Sequence, residues 1–418
     1  MDSGDERIKG SEEHAGPETR KKESLGQALG FVLAVCAASR LFYLVAGAWF
    51  AQVKPVSTFQ RLTSDRPFGT FNIWAHWDGE HYVALAAGGY MQPPDNVSPA
   101  FFPLYPMLVR SFAGLFGGPL SPGALSLWGV LVSLLFLPFA MYFVYRISEH
   151  GWGQRAAKGT VLLMAFFPAA FFLNAAYTES LFLALSAGSL WALRVRRDLL
   201  LACVLAGLAT ATRNVGVFLL VPLLYEWFRD RDRHGWRAVY LALAPSGLIL
   251  YSAYLWARFG NPLLFYTEQG RWGRGNAGPL GVLNNVFRES GEGIARLFGP
   301  GLLADPTLGK LVDRASSAQN AFDLALLGLV VAVLIAGLRV LPPDLSAYAL
   351  LLVAPAVLFG PPQNPLMGLP RYALVAFPLF IVLGVLLDSR RSLGVWLGLS
   401  AAASLVLCAM FVSWRFVA

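Results

Sequence analysis

QALGFVLAVCAASRLFYLVAGAWF, residues 27–50, is an apolar run in which Arg40 is the single charged residue. A helix rises about 1.5 Å per residue, so a run of this length can cross the ~30 Å hydrocarbon core of a bilayer. Comparable apolar runs bounded by arginines recur as far as residue 416. The pattern predicts an all-α polytopic membrane protein, and it leaves open whether Arg40 is paired or extends toward the head groups.

The composition excludes a soluble globular protein. Of the 418 residues, 56% are hydrophobic and 14% are charged, and the mean hydropathy is +0.54, which is outside the range of ordinary soluble domains. The net charge of +8 comes from short basic clusters between apolar runs, so we expect membrane lipids and no nucleic acid as partners. The three cysteines all lie in apolar runs, where packing is their expected role.

The basic clusters predict the topology, because loops rich in Lys and Arg stay in the cytoplasm. Arg20, Lys21 and Lys22 place the N-terminus inside, and residues 1–26, which are polar and charged, are predicted to be a disordered cytoplasmic tail. The remaining chain, 27–418, is predicted to be one transmembrane domain. The other clusters placed inside are 146–158, 194–197, 229–237, Arg339 and Arg390–Arg391.

This placement determines two large external loops. Between residue 50 and the basic cluster at 146–158, only the apolar run 122–145 is predicted to cross the membrane, so 51–121 is predicted to be the first external loop. The segment 258–319 is predicted to be the second. Within the first loop, the apolar piece 101–117 should re-enter the membrane or lie in its interface.

Two apolar runs should each turn back on themselves. The run 159–193 is too long for one helix and is predicted to turn near 174–179, and the run 198–228 is predicted to turn near Arg213. The total is about eleven crossings, with the N-terminus inside and the C-terminus outside. The remaining predicted spans are 238–257, 320–338, 345–360, 372–388 and 393–414.

The stretch HWDGEHYVAL, residues 76–85, places titratable groups on the predicted outer face. If 77–90 is a helix, Asp78, His81, Tyr82 and Leu85 share one side of it. A carboxylate, an imidazole and a phenol would then meet at the membrane surface, and Gly88–Gly89 would end the helix.

Each polar residue also has a plain structural interpretation. In this interpretation Asp78 caps a helix, although the spacing of Asp78 and Glu80 would also suit a divalent cation. Glu179 would be a solvated turn residue. Arg213 and Arg371 would extend to head groups or anchor the interface; alternatively, ionisable groups at membrane depth mark function.

The motifs resemble those of the PIG-V family, the mannosyltransferases that add the second mannose of GPI anchors and that have prokaryotic relatives. The resemblance rests on Trp77-Asp78, His81-Tyr82, Gly89-Tyr90 and the AFFP segment at 100–103. It continues, in the family's order, with YTESLF (177–182), TRNVG (212–216) and RYALVAFPLF (371–380).

The resemblance implies the GT-C glycosyltransferase fold, a polyprenyl-phosphate sugar as donor, inversion at the anomeric carbon, and an essential acid in the first external loop. Asp78 is the expected general base. Arg213 and Arg371, with His81, are expected to bind the phosphate. Glu80, Glu179 and Tyr177 are expected to hold sugar hydroxyls or to orient these groups, and Tyr82 and Tyr372 complete the expected substrate-binding set.

Mannose is the expected sugar. The Ala-, Leu-, Gly- and Arg-rich composition is typical of a bacterial protein, so the expected location is the plasma membrane, with the active site on its outer side. A bacterium makes no GPI anchor, so the family's acceptor does not carry over. A transporter or flippase of lipid-linked substrates is the alternative function, although such proteins place ionisable groups nearer the bilayer midplane.

Overall fold

The computed structural model describes residues 24–53, 69–91, 98–231, 235–274, 278–299 and 307–417. Within these ranges the chain is helical and contains no strand, which confirms the all-α prediction. Most of the predicted disordered tail lies outside the described residues. The first helix begins at Leu25, two residues before the predicted span, because the Ser24 side chain caps it in a capping box with Gln27.

The described ranges contain eighteen α-helices. In chain order they are α1 (Leu25–Phe50), α2 (Gly69–Asn72), α3 (Asp78–Gly88), α4 (Leu104–Leu115), α5 (Pro122–Trp152), α6 (Gln154–Ala165), α7 (Glu179–Trp191), α8 (Leu199–Thr210), α9 (Leu220–Arg229), α10 (Ser246–Phe259), α11 (Leu264–Thr267), α12 (Gly278–Leu297), α13 (Leu308–Ser317), α14 (Gln319–Val340), α15 (Pro343–Leu358), α16 (Leu369–Val375), α17 (Phe377–Leu386) and α18 (Arg390–Val412).

The protein is a multi-pass integral membrane protein. Four helices in the described ranges, α1, α5, α14 and α18, are long and apolar enough to cross a membrane. Two bent pairs raise the number to six if each pair is one span: the 3-10 segment Gly235–Leu243 with α10, bent by 42°, and α16 with α17, bent by 72°. Shorter apolar helices such as α8 and α15 are also present, so the predicted count of about eleven crossings stays a prediction.

Helix α7 lies at the centre of the bundle and packs against α5 and α8. Every residue from Glu179 to Leu190 is buried, as expected for a helix that is apolar on all sides. Its first residue is nevertheless a glutamate with no exposed surface, so the centre of the fold must supply partners for a carboxylate.

The two predicted breaks both occur. Helix α6 ends at Ala165 and α7 begins at Glu179, so the run 159–193 is interrupted over residues 166–178, a stretch that includes most of the predicted turn at 174–179. Helix α8 ends at Thr210, and a 3-10 segment starts at Asn214, so the second run breaks at Arg213.

Arg40 stabilises the first of these breaks from inside the bundle. Its guanidinium donates to the carbonyl oxygens of Ala165 at 3.0 Å and Ala170 at 2.8 Å, and to the Asn174 side-chain oxygen at 2.8 Å. The Ala165 carbonyl belongs to the last turn of α6, whose final carbonyl oxygens have no partner within the helix. Arg40 is therefore paired within the protein and does not extend to the head groups.

The predicted loop segments contain helices. Helix α4 occupies most of the apolar piece 101–117, and its 12 residues make it about 18 Å long, which is too short to cross the hydrocarbon core. Whether it re-enters the membrane or lies in the interface stays a prediction, as does the side of the membrane on which 51–121 and 258–319 lie. Helices α12 and α13 lie within the second of these segments.

Candidate active site

The N-terminus of α3 holds Asp78 in an unusual local geometry. Trp77 precedes the helix with φ 58° and ψ −123°, a sparsely populated backbone conformation that costs on the order of 1–3 kcal/mol. Gly79 lies directly against Tyr177, because a Cβ at this position would be 3.2 Å from the tyrosine ring. The DG pair thus lets α3 pack closely on the break before α7 and directs the Asp78 carboxylate away from it.

Asp78 does not cap α3. Trp77 occupies the cap position and makes no side-chain capping bond, and Asp78 is the first helical residue. Its Oδ2 accepts a hydrogen bond from Arg371 Nη1 at 2.5 Å. The capping interpretation is therefore wrong, whereas the predicted helix and its end at Gly88, followed by Gly89 at φ 75°, are confirmed.

Four charged side chains form a continuous network that joins α3, α7, α16 and the break at residue 213. Glu179 Oε1 accepts hydrogen bonds from Arg213 Nη1 and Arg371 Nε, each at 2.7 Å. Arg371 also bonds Asp78, so the order is Asp78, Arg371, Glu179, Arg213. The Glu179 side chain is 0% exposed, those of Arg371 and Arg213 are 10% and 12% exposed, and that of Asp78 is 32% exposed. Asp78 is thus the accessible end of a buried network.

The burial of Glu179, Arg213 and Arg371 contradicts the structural interpretations given for them from the sequence. Glu179 is not a solvated turn residue, since no part of it reaches solvent. Arg213 and Arg371 do not extend to head groups, since both guanidiniums point to a buried carboxylate.

Aromatic faces enclose both guanidiniums. The Arg371 guanidinium lies 4.7 Å from the ring centre of Tyr177 and 5.3 Å from that of Phe172. The Arg213 guanidinium lies 5.3 Å from the ring centre of Tyr372. Cation–π contacts of this kind are worth more when water is excluded, so the rings fix the orientation of the network.

A cavity of about 490 Å³ opens onto the exposed end of the network. Seven of the nine predicted site residues line it, and Tyr177 and Glu179 lie behind its wall, where they contact Arg371. Of the two roles left open for this pair, their positions favour orienting the cavity residues. The predicted residues that line the cavity are Asp78, Glu80, His81, Tyr82, Arg213, Arg371 and Tyr372.

Burial and charge set the ionisation of the α3 groups. Burial alone raises the pKa of Asp78, but the adjacent Arg371 guanidinium and its hydrogen bond outweigh burial, so the pKa lies below its ordinary value. Burial lowers the pKa of His81, and the opposing effect of Asp78 is smaller, so the imidazole is neutral at pH 7. Burial, followed by the charge of Asp78, raises the pKa of Tyr82. The site therefore presents a carboxylate, a neutral imidazole and a phenol.

Two of the parts of the cavity wall that sequence reasoning missed carry charged or aromatic side chains. One is the segment 269–274, which contributes Gln269, Trp272 and Arg274; its GRWGR pattern, a tryptophan between two arginines with glycine before each, was the available signal. The other is the end of the chain, where Trp414 and Phe416 line the cavity and Arg415 fixes the segment by an ion pair of 2.6 Å with Asp313.

The positions of the side chains that could bind a metal do not add support to the predicted divalent-cation site. In the part of the chain that the structure describes, no three His, Cys, Asp or Glu side chains are placed to hold one ion together. A divalent cation bound by Asp78 and Glu80 therefore stays a prediction.

Part of the chain, including most of the site residues in its first half, matches the model of a known protein family. Residues 29–223 match the family model described as Mannosyltransferase (PIG-V). The resemblance that the motifs predict is thus confirmed over this part of the chain. The matched region contains Asp78, Tyr177, Glu179 and Arg213, whereas Arg371 lies beyond it.

Two curated relatives carry the same activity in their names. The chain is 33% identical over 112 residues to GPI mannosyltransferase 2 of Drosophila pseudoobscura pseudoobscura and 29% identical over 160 residues to GPI mannosyltransferase 2 of Schizosaccharomyces pombe. These alignments cover 26% and 38% of this chain. They span about a quarter and a third of the relatives' own length, at 24% and 33%.

Two solved structures also resemble the fold at low identity. ArnT from Cupriavidus metallidurans bound to undecaprenyl phosphate matches with a TM-score of 0.47 and 15% identity, over 88% of this chain and 62% of that chain. The archaeal oligosaccharyltransferase AglB from Archaeoglobus fulgidus matches with a TM-score of 0.42 and 14% identity, over 90% of this chain and 55% of that chain.

Proposed function

We propose that this protein is a membrane-embedded, inverting glycosyltransferase of the GT-C class. It transfers mannose from a polyprenyl-phosphate donor to a lipid, glycan or protein acceptor outside the cytoplasm. The observation that carries this proposal is the Asp78 carboxylate, which is partly exposed in a cavity and held by Arg371. It lies inside the segment that matches the mannosyltransferase family.

The reaction needs one base and one stabilised leaving group. Asp78 takes the proton of the acceptor hydroxyl while the acceptor oxygen forms its bond to the anomeric carbon. The bond from that carbon to the phosphate oxygen breaks, and its electron pair leaves with the polyprenyl phosphate. A positioned carboxylate base contributes typically ~10²–10⁴-fold.

The buried part of the network positions this base. Arg371 bonds Asp78 through one nitrogen and Glu179 through another, so the fork geometry of arginine fixes the direction of the carboxylate. Glu179 in turn is fixed by Arg213. The lowered pKa of Asp78 keeps it ionised, and thus able to accept a proton, throughout the neutral range.

The rest of α3 supplies the sugar contacts. His81 lies with its ring centre 4.8 Å from that of Phe101 and is neutral, so it is suited to hydrogen bonding with a sugar hydroxyl and less suited to a phosphate. Glu80 and Tyr82 line the same cavity and offer further polar groups to the sugar.

A transporter or flippase is the alternative function, and the arrangement of charges favours the transferase. The charged groups Asp78, Arg371, Glu179 and Arg213 form one linear network, and its most exposed member, Asp78, lines the cavity. A transport pathway would need ionisable groups that serve both faces of the membrane.

The transferase proposal is tested with membranes that contain this protein and polyprenyl-phosphate mannose labelled in the sugar. We expect the label to move to a lipid, glycan or protein fraction and polyprenyl phosphate to be released. Membranes lacking the protein are the control. Movement of intact labelled donor across the membrane, without release of polyprenyl phosphate, would support the transporter instead.

The proposed location is a bacterial plasma membrane with the cavity outside, and single cysteines test the orientation. The native cysteines are buried. An impermeant thiol reagent added to intact cells should label Glu292→Cys, in the second predicted external loop, and should leave Arg196→Cys and Arg391→Cys unlabelled. Labelling of the two arginine positions without Glu292→Cys would reverse the orientation and place the cavity in the cytoplasm.

A further inference from the structure

Arg274 differs from the other two guanidiniums of the cavity. Arg213 and Arg371 are each bonded to a buried or partly buried carboxylate. Arg274 also lines the cavity, but within the described ranges no carboxylate lies at ion-pair distance from it. Its guanidinium lies beside the Tyr372 side chain, close enough to donate to the phenol oxygen. One guanidinium of the cavity is therefore available to an anion.

Two glycines allow the segment that carries Arg274 to pack closely against residues 361–368, which line the cavity opposite α3. Gly273, at φ 70°, lies against Pro361, since a Cβ there would be 3.3 Å from the proline ring. Gly368 has a φ of 89° and lies directly before α16. A Cβ atom at this position would be 3.5 Å from Arg274 Nη2, so the guanidinium lies against the backbone of Gly368. Both backbone conformations favour glycine, so the segment 270–274 is docked on the segment 361–368 in a defined way.

The pairing of Arg213 and Arg371 makes them poor receptors for a second anion. A phosphate that took Arg371 would leave Asp78 without its guanidinium partner and the buried Glu179 with Arg213 alone, which is costly. In the described ranges no carboxylate lies at ion-pair distance from Arg274, and the charge of Asp78 acts on it only over a longer distance. When the Tyr372 oxygen accepts from Arg274, the phenol proton is free to donate to a phosphate oxygen beside it.

We infer that Arg274, together with the Tyr372 hydroxyl, binds the phosphate of the lipid-linked donor, and that Arg371 is a positioning residue for Asp78. This inference rests on the proposed function and changes the role expected of Arg371 from the sequence. The donor is a phosphodiester with one negative charge. When its bond to the sugar breaks, the electron pair adds a second charge to the phosphate, which the fork of Arg274 stabilises.

Binding measurements test this role without any turnover. Wild-type protein in lipid nanodiscs is titrated with polyprenyl phosphate and with the uncharged polyprenol of the same chain length. Arg274→Gln should weaken polyprenyl phosphate binding at least about tenfold, the usual effect of losing a charge-assisted hydrogen bond, and should leave polyprenol binding unchanged. Arg274→Lys should recover part of the loss, since it keeps the charge without the fork.

Controls separate this role from folding and from the proposed function. Arg288→Gln removes an exposed arginine of the same predicted loop and should bind as wild type does, and thermal unfolding should show that Arg274→Gln is folded. Wild-type affinity in Arg274→Gln would overturn the inference while the proposed function stands. A wild type that binds polyprenyl phosphate no better than polyprenol would overturn both, and displacement by inorganic phosphate at equal concentration would show a general anion site.

Discussion

The Asp78→Asn variant is expected to lose at least ~100-fold in sugar transfer, while its amount in the membrane stays close to that of the wild type. Asparagine keeps the size of the side chain, and its amide oxygen can still accept the hydrogen bond from Arg371. It cannot take a proton from the acceptor hydroxyl. The loss should therefore appear in kcat, with donor binding retained.

The neighbouring acid provides the matched control. Glu80→Gln makes the same change two residues further along α3, in the same cavity, and should alter mainly KM if Glu80 holds a sugar. The quantities to compare are membrane abundance, donor affinity and the transfer rate of both variants. Near-wild-type transfer by a well-folded Asp78→Asn protein would remove Asp78 as the base.

Glu179→Gln is expected to destabilise the protein by about 3–5 kcal/mol, the range found when one partner of a buried ion pair is removed. The Glu179 carboxylate has no exposed surface and accepts from two guanidiniums through one oxygen. A neutral amide leaves Arg213 without its carboxylate partner and Arg371 with Asp78 alone. Unfolding of the purified protein by heat or denaturant measures the loss.

An exposed ion pair shows what the same substitution costs without burial. Glu292 pairs with Arg296 on α12, and their side chains are 50% and 62% exposed. Glu292→Gln should cost at most about 1 kcal/mol, because solvent screens such pairs. Equal stability of Glu179→Gln and Glu292→Gln would mean that the buried network does not stabilise the fold.

Features that depend on local sequence were predictable. The breaks near 174–179 and at Arg213 follow from run length and the placement of basic residues, and the structure has both. The helix after Trp77 and its end at Gly88 follow from the periodicity of polar residues and from the glycine pair. The exact number of crossings was harder to predict, because the amino-acid composition does not mark where bent and short helices begin and end.

The pairings within the site were not predictable, because they join distant parts of the chain. Asp78 and Arg371 are separated by 293 residues, and Glu179 and Arg371 by 192. The topology predicted from the basic clusters places these residues on one face, and the packing of α3, α7 and α16 decides which of them meet. Arg274 was missed because its loop has no periodic pattern, and its role depends on two glycine contacts with a segment about 90 residues further along.

The most direct test of the central claim is a comparison of sugar donors with the purified protein in lipid nanodiscs, supplied with a bacterial membrane extract as acceptor. One reaction contains labelled polyprenyl-phosphate mannose, and the other contains labelled nucleoside-diphosphate mannose. The proposal predicts transfer of label from the lipid donor alone, with release of polyprenyl phosphate and loss of both signals in Asp78→Asn. Transfer from the nucleotide donor, or release of polyprenyl phosphate that does not depend on Asp78, would contradict it.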